Sequence, residues 1–141
     1  VQIHEEVLQP VVALAAWTMV MWFWMYATRL PAIAKLRMRP DRELPRGEQM
    51  AQLPARVRWK ADNYDHLLEQ PTVFYVIAVI HALRSHDPRT AAALAWTYVG
   101  LRVLHSLVQA LVNWIELRFA VFVLSTIVLI VLIVGAANST F

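Results

Sequence analysis

Four side chains suited to binding or proton transfer, Tyr98, Arg102, His105 and Gln109, are spaced by four, three and four within the apolar stretch "TAAALAWTYVGLRVLHSLVQALVNW". At 3.6 residues per turn this spacing places all four on one helix face. A guanidinium that is always charged can hold an anion, and an imidazole can move a proton near neutral pH. Asn113 and Glu116 roughly continue the row. A second row lies in "RWKADNYDHLLEQ", where Asp62, Asp65, His66 and Glu69 share a face with Arg58 and Asn63 at its edges. If the two rows meet, Asp62 and Glu69 are expected to pair with Arg102 or Arg118.

The elements that hold these rows are membrane spans. The chain has 141 residues, 59% hydrophobic and 16% charged, whereas a soluble domain is nearer half apolar and a quarter charged. Four stretches have the roughly 20 mostly apolar residues that a membrane helix needs. They are expected at 7–28, 56–83, 90–114 and 118–138. Pro10 fits the first turn of the first span, where its missing N–H does little harm. Trp22, Trp24 and Tyr26 suit a membrane–water interface. The second span must begin well before Pro71, because Pro71 to Leu83 is too short to cross alone, and Pro71 should kink it. The fourth is almost entirely Val, Ile, Leu and Phe. The expected fold is all-α and integral to the membrane, a bundle of four transmembrane helices forming a single domain.

Nine of the 13 Lys and Arg residues lie between Arg29 and Lys60. The loop at 29–55 is therefore expected on the cytoplasmic side, with both termini and the "RSHDPR" hairpin opposite. In a bacterium this would be the inner membrane. The same loop contains Pro31, Pro40, Pro45 and Pro54 and reads as an irregular surface segment. The first span is followed by a polar loop, not a small-residue cleavage site, and reads as a retained span.

Several chemistries are disfavoured. There is no Cys, so thiol chemistry needs a thiol brought by a ligand. "DNYDHLLE" departs from the Glu-x-x-His signature of di-iron bundles, and no metal is expected. No Rossmann, P-loop or GxSxG pattern occurs, and the basic loop lacks the context of a nucleic-acid reader. An Arg near the middle of a membrane helix costs about 2.5–3.5 kcal/mol on insertion scales. Arg102 is thus expected to face protein or water. Such buried polar groups either form a ligand site or only hold helices together.

The ordered set of "RVRWKADN" at the start of the second span, "RVLH" in the third and "ELR" before the fourth resembles the MAPEG family, the membrane-associated proteins of eicosanoid and glutathione metabolism. The resemblance covers most of the chain. It implies a homotrimer with active sites between subunits, opening toward the cytoplasmic side. It implies glutathione as co-substrate, its thiol made a thiolate by an Arg beside the lipid. Here that Arg resembles Arg118, 13 residues after His105. The resemblance assigns Arg58 and Arg102 to glutathione carboxylates and Asn63 to a polar contact, with Tyr98 adding a hydrogen bond. His105 would orient neighbours or shuttle a proton. The chain departs from the family at His66, which stands where the family's Glu receives the glutathione amine; Asp65 or Glu69 could substitute. Gln109 stands where the family has Tyr. Two functions follow. One is a glutathione-dependent transferase or peroxidase acting on a lipophilic small molecule that approaches from the bilayer. The other is a non-catalytic trimeric protein or a small structural subunit of a larger membrane complex.

Overall fold

The structure is a computed structural model that describes residues 3–140. Among the described residues six helices follow one another: α1 (Glu5–Lys35), α2 (Arg46–Met50), α3 (Ala55–Leu68), α4 (Gln70–Arg84), α5 (Pro88–Leu111) and α6 (Ile115–Thr140). With α3 and α4 taken together, four helices are long and apolar enough to cross a membrane.

Each span buries one stripe. On α1 the buried residues Val7, Pro10, Leu14, Thr18, Met21, Met25 and Arg29 recur every three or four positions, the spacing of a helix facing its neighbours on one side. On α6 the inward stripe is Val121, Ser125, Leu129, Leu132 and Ala136. Its outward surface is just as apolar, with Phe119, Leu124, Ile127, Ile130 and Val134 all exposed. An apolar exterior of this extent suits lipid rather than water.

The first span packs on both α3 and α4 and on α5, while α6 packs on α4 and α5. The second and third spans therefore occupy the middle of the bundle, and α1 and α6 flank them. Among the described residues the central packing is led by Phe74 and Tyr98, both with no exposure. Their rings stack with centroids 4.5 Å apart.

The first, second and fourth spans outrun their expected bounds, and the third starts earlier and ends three residues short of 114. The first begins at Glu5, so Pro10 sits in its second turn rather than its first, and it continues to Lys35 through Pro31. Good helix formers in "LPAIAKL" carry it past the lost hydrogen bond. The remainder of the basic loop is irregular except for the single-turn α2. The second span is interrupted at Glu69, where φ −84° and ψ −97° leave the helical region. Pro71 explains the break: it offers no N–H to the preceding turn and its ring crowds the carbonyl four residues back, so a new helix starts with Pro71 in its first turn. The third span ends at Leu111, and Asn113 turns the chain with φ +53°. Asn tolerates that left-handed conformation better than most residues.

Candidate functional site

The break at Glu69 organises the polar end of the bundle. Where α3 stops, its last carbonyls lose their intrahelical partners. Arg102 reaches across from α5, and its Nη2 donates to the His66 carbonyl oxygen at 3.0 Å. A cation at a helix C-terminus also meets the negative end of the helix dipole. Arg102 is 1% exposed, and its Nε and Nη1 are buried without a hydrogen-bond partner. Its guanidinium lies 5.8 Å from the centroid of the Phe122 ring.

Next to this contact, Asn63 Nδ2 donates to Ser106 Oγ at 2.6 Å, tying α3 to α5 a second time. Tyr98 donates to Gln70 Oε1 at 3.4 Å, and Gln70 Nε2 donates to Thr126 Oγ1 of α6 at 2.9 Å. The inward row on α5 thus forms as its spacing predicts. Tyr98, Arg102, His105 and Gln109 are all buried.

The carboxylates do not meet that row. Asp62, Asp65 and Glu69 are exposed, as is Arg58. The expected pairing of Asp62 or Glu69 with Arg102 or Arg118 is absent; Glu69 instead lies 3.3 Å from His66 Nδ1 on its own span. The reason is angular. Asn63 and Leu67 point into the bundle, which turns the acidic edge of α3 away from α5.

Two cavities flank this part of α3. One, of about 270 Å³, is lined by His66, His105, Ile115, Arg118, Phe119 and Phe122. The His66 and His105 rings meet edge to face at 5.9 Å. Arg118 lies in the first turn of α6, with its Nη1 donating to Asn113 Oδ1 at 2.6 Å. That bond fixes the guanidinium at the cavity wall and leaves its other donors free for an anion. The second cavity, of about 350 Å³, is lined by Arg29, Arg46, Arg58, Asp62 and Asp65 together with residues of the basic loop. Arg29 is buried, and its Nε has no partner.

The structure therefore divides the residues singled out by the sequence. His66, His105 and Arg118 converge on one cavity. Arg58 joins Asp62 and Asp65 at the other. Asn63 and Tyr98 are occupied in helix packing, and Glu69 reaches the first cavity only through His66. Sequence reasoning passed over Ser106, Gln70 and Phe122. Ser106 was the most findable, because it neighbours His105 on the inward face; Phe122 is one apolar residue among many in α6. Among the described residues, no three His, Asp or Glu side chains converge to hold a metal ion.

Four apolar spans, with polar groups turned into the bundle, define an integral membrane helical protein. The MAPEG family's sequence profile matches residues 7–138, and the chain belongs to that family. Searches of curated proteins and of solved structures return no match.

Proposed function

We propose that the protein is a glutathione-dependent transferase or peroxidase that acts on lipophilic electrophiles or lipid hydroperoxides. The observation that carries this reading is the mixed cavity beside α6. It joins a tethered cation, Arg118, to the apolar walls of Ile115, Phe119 and Phe122. Ile115 and Phe119 are themselves exposed on the outer, lipid-facing surface. A membrane-soluble reactant can thus approach the same place that holds an anion.

When bound, glutathione supplies the thiol. A free thiol has a pKa near 8.5 and is lowered beside a fixed positive charge. Arg118 supplies that charge, and its bond to Asn113 keeps it aimed without reorganisation. His105 lies on the same cavity and can take up or return a proton. Arg102 is buried and lines neither cavity; its Nε and Nη1 lack partners among the described residues, and a ligand carboxylate would meet them only where the helices part beside the His66 carbonyl. The exposed edge of Arg58, Asp62, Asp65 and Glu69 suits the ionic ends of a peptide: guanidinium for a carboxylate, carboxylate for the ammonium. In this reading Asp65 or Glu69 takes over the amine contact where His66 stands. Assembly as a homotrimer would lay this edge against a neighbouring subunit, with the basic loop 29–55 on the cytoplasmic side.

The test is thiolate absorbance and turnover with a lipophilic electrophile, measured with and without Arg118→Ala. Loss of both is expected. A variant that keeps both signals rules this mechanism out.

A second reading rests on the bonds Asn63–Ser106 and Arg102–His66, which already employ buried polar groups in holding α3 to α5. On that reading the protein is a non-catalytic membrane scaffold. Calorimetric titration with glutathione separates the two, since saturable binding is incompatible with a purely packing role for the cluster.

A further inference from the structure

At the opposite end of the bundle, α4, the start of α5 and the end of α6 enclose a cavity of about 340 Å³. Leu94, Val131 and Leu132 line its deeper part, and Ser85, Asp87 and Asn138 line it near the hairpin. His81 also lines it and is 5% exposed. The His81 Nε2 lies 2.8 Å from the backbone oxygen of Leu132. A carbonyl oxygen only accepts, so Nε2 carries the hydrogen. In the neutral ring Nδ1 is then an acceptor, and it is buried with no partner among the described residues. The fold makes room for this ring at Gly135, where a Cβ would stand 3.2 Å from His81 Cε1.

The electrostatics of the cavity favour a cation. Its lining includes Asp87 and His86 and no Lys or Arg, while Arg89 of the hairpin acts on the Asp87 carboxyl from outside the lining. Two helices, α4 and α6, present their C-terminal, partially negative ends here. Among the described residues α5 presents its N-terminal end to the cavity, capped by Asp87, which accepts from the Thr90 N–H at 3.1 Å, and α1 begins nearby, with the His4 N–H donating to the Ala82 carbonyl oxygen at 2.9 Å and Glu5 and Glu6 in its first turn. Acceptors at the rim, an unpaired acceptor within and an apolar interior together describe a complement to an amine that carries a hydrocarbon chain.

We propose that this cavity binds the primary ammonium group of an amphiphile. The ammonium hydrogens go to Asp87 and His81 Nδ1, and the chain follows Leu94, Val131 and Leu132. The ammonium belongs either to an ethanolamine headgroup of the surrounding bilayer or to a free long-chain amine. The site lies at the other end of the bundle from Arg118 and does not depend on glutathione chemistry.

The experiment places the protein in nanodiscs of phosphatidylcholine and titrates dodecylamine against dodecyltrimethylammonium. The two share chain and charge, but only the first has N–H donors. Dodecylamine is expected to bind saturably and at least about tenfold more tightly, and to shift the nitrogen NMR signal of His81 Nδ1. Asp87→Asn, which keeps a side chain able to cap α5, is expected to weaken dodecylamine about tenfold and the other probe by clearly less, since both lose the charge but only the first loses an acceptor for its N–H groups. Equal affinity for the two probes, or dodecylamine binding untouched by Asp87→Asn with no His81 shift, overturns the proposal. Preferential retention of phosphatidylethanolamine over phosphatidylcholine in native mass spectra assigns the ligand to the bilayer. Tight dodecylamine binding without such retention assigns it to a free amine.

Discussion

The two ends of the bundle are built from the same spans on opposite principles. On the α3 side, helices meet through polar groups: Asn63 to Ser106, and Arg102 to the His66 carbonyl. On the α4 side they meet through small side chains, Ala78, Ala82, Ala91 and Ala95, all buried. Small residues let membrane helices approach closely and gain dispersion contacts, since lipid tails provide no hydrophobic drive between helices. The border between the two regimes is the break at Glu69. The polar end carries unpaired donors and two cavities with fixed cations. The far end is held by packing and by one histidine that crosses from α4 to α6 beside the hairpin cavity. The lesson is that one span joins its neighbours in two ways, by polar bonds before the break and by small-residue packing after it, and each can be perturbed alone.

The sharpest way to break the comparison is to remove cohesion on the packed side. Phe74 is fully buried against Tyr98 one turn beyond the break. Phe74→Ala is expected to cost about 3–5 kcal/mol of unfolding free energy, read by denaturant titration of the purified protein in micelles. Glutathione affinity in the fraction that remains folded should change little, because Phe74 lines neither polar cavity. A loss of affinity as large as the loss of stability would mean that the two ends are not separable.

At the polar end the balance should reverse. Arg102→Leu deletes a charge-assisted hydrogen bond, worth about 1.5–3 kcal/mol, but also removes a buried charge, which offsets part of that loss. The net change in stability is expected to stay below that of Phe74→Ala. Glutathione binding, by contrast, should fall at least about tenfold, because Arg102 holds the His66 backbone and His66 lines the cavity beside Arg118. A variant with wild-type glutathione affinity would leave Arg102 with the packing role alone.

These predictions rest on features of unequal legibility. Four spans and the inward row on α5 follow from length, hydropathy and the 3.6-residue period, and the structure has both. The break in the second span follows from Pro71. The direction of the acidic edge on α3 did not follow. Asp62, Asp65 and Glu69 share a face by period alone, but which face turns inward depends on the packing of Asn63 and Leu67, and periodicity in a mixed polar helix does not rank those choices. The partner of Arg102 was equally hidden. It is a backbone carbonyl freed by the break, and no side-chain pattern marks a carbonyl. Arg118 was singled out through the family resemblance, 13 residues after His105 at the head of the fourth span, and its tether to Asn113 required the tight turn at 111–115.

Pro71 tests the border itself. Pro71→Ala restores an N–H and permits an unbroken helix from Ala55 to Arg84. Stability should change by no more than about 1 kcal/mol in either direction, since the regained hydrogen bond opposes the loss of the His66 carbonyl as a partner for Arg102. Continuous amide hydrogen-exchange protection across residues 66–71 would report the straightened helix. Turnover should drop several-fold as Glu69 swings away from His66. Unchanged exchange at Glu69 and Gln70 would show that tertiary packing, and not the proline, makes the break.

The smallest effect belongs to the hairpin at the far end. Thr90, through its side chain and then its backbone N–H, holds the Asp87 carboxyl below the usual carboxylate range. A group whose pKa is depressed on folding stabilises the folded state above its unfolded value, near 3.9. That contribution is lost as pH falls through the lower folded value. Asp87 is exposed, so solvent screens most of the benefit. The thermal midpoint of the wild type should therefore exceed that of Asp87→Asn slightly at neutral pH, and the difference should close as acid titration carries the carboxyl below its lowered folded value. Because the asparagine of that variant would still cap α5, any difference that persists in acid would have to come from cap geometry and not from the charge, which would remove Asp87 as the electrostatic feature of this end.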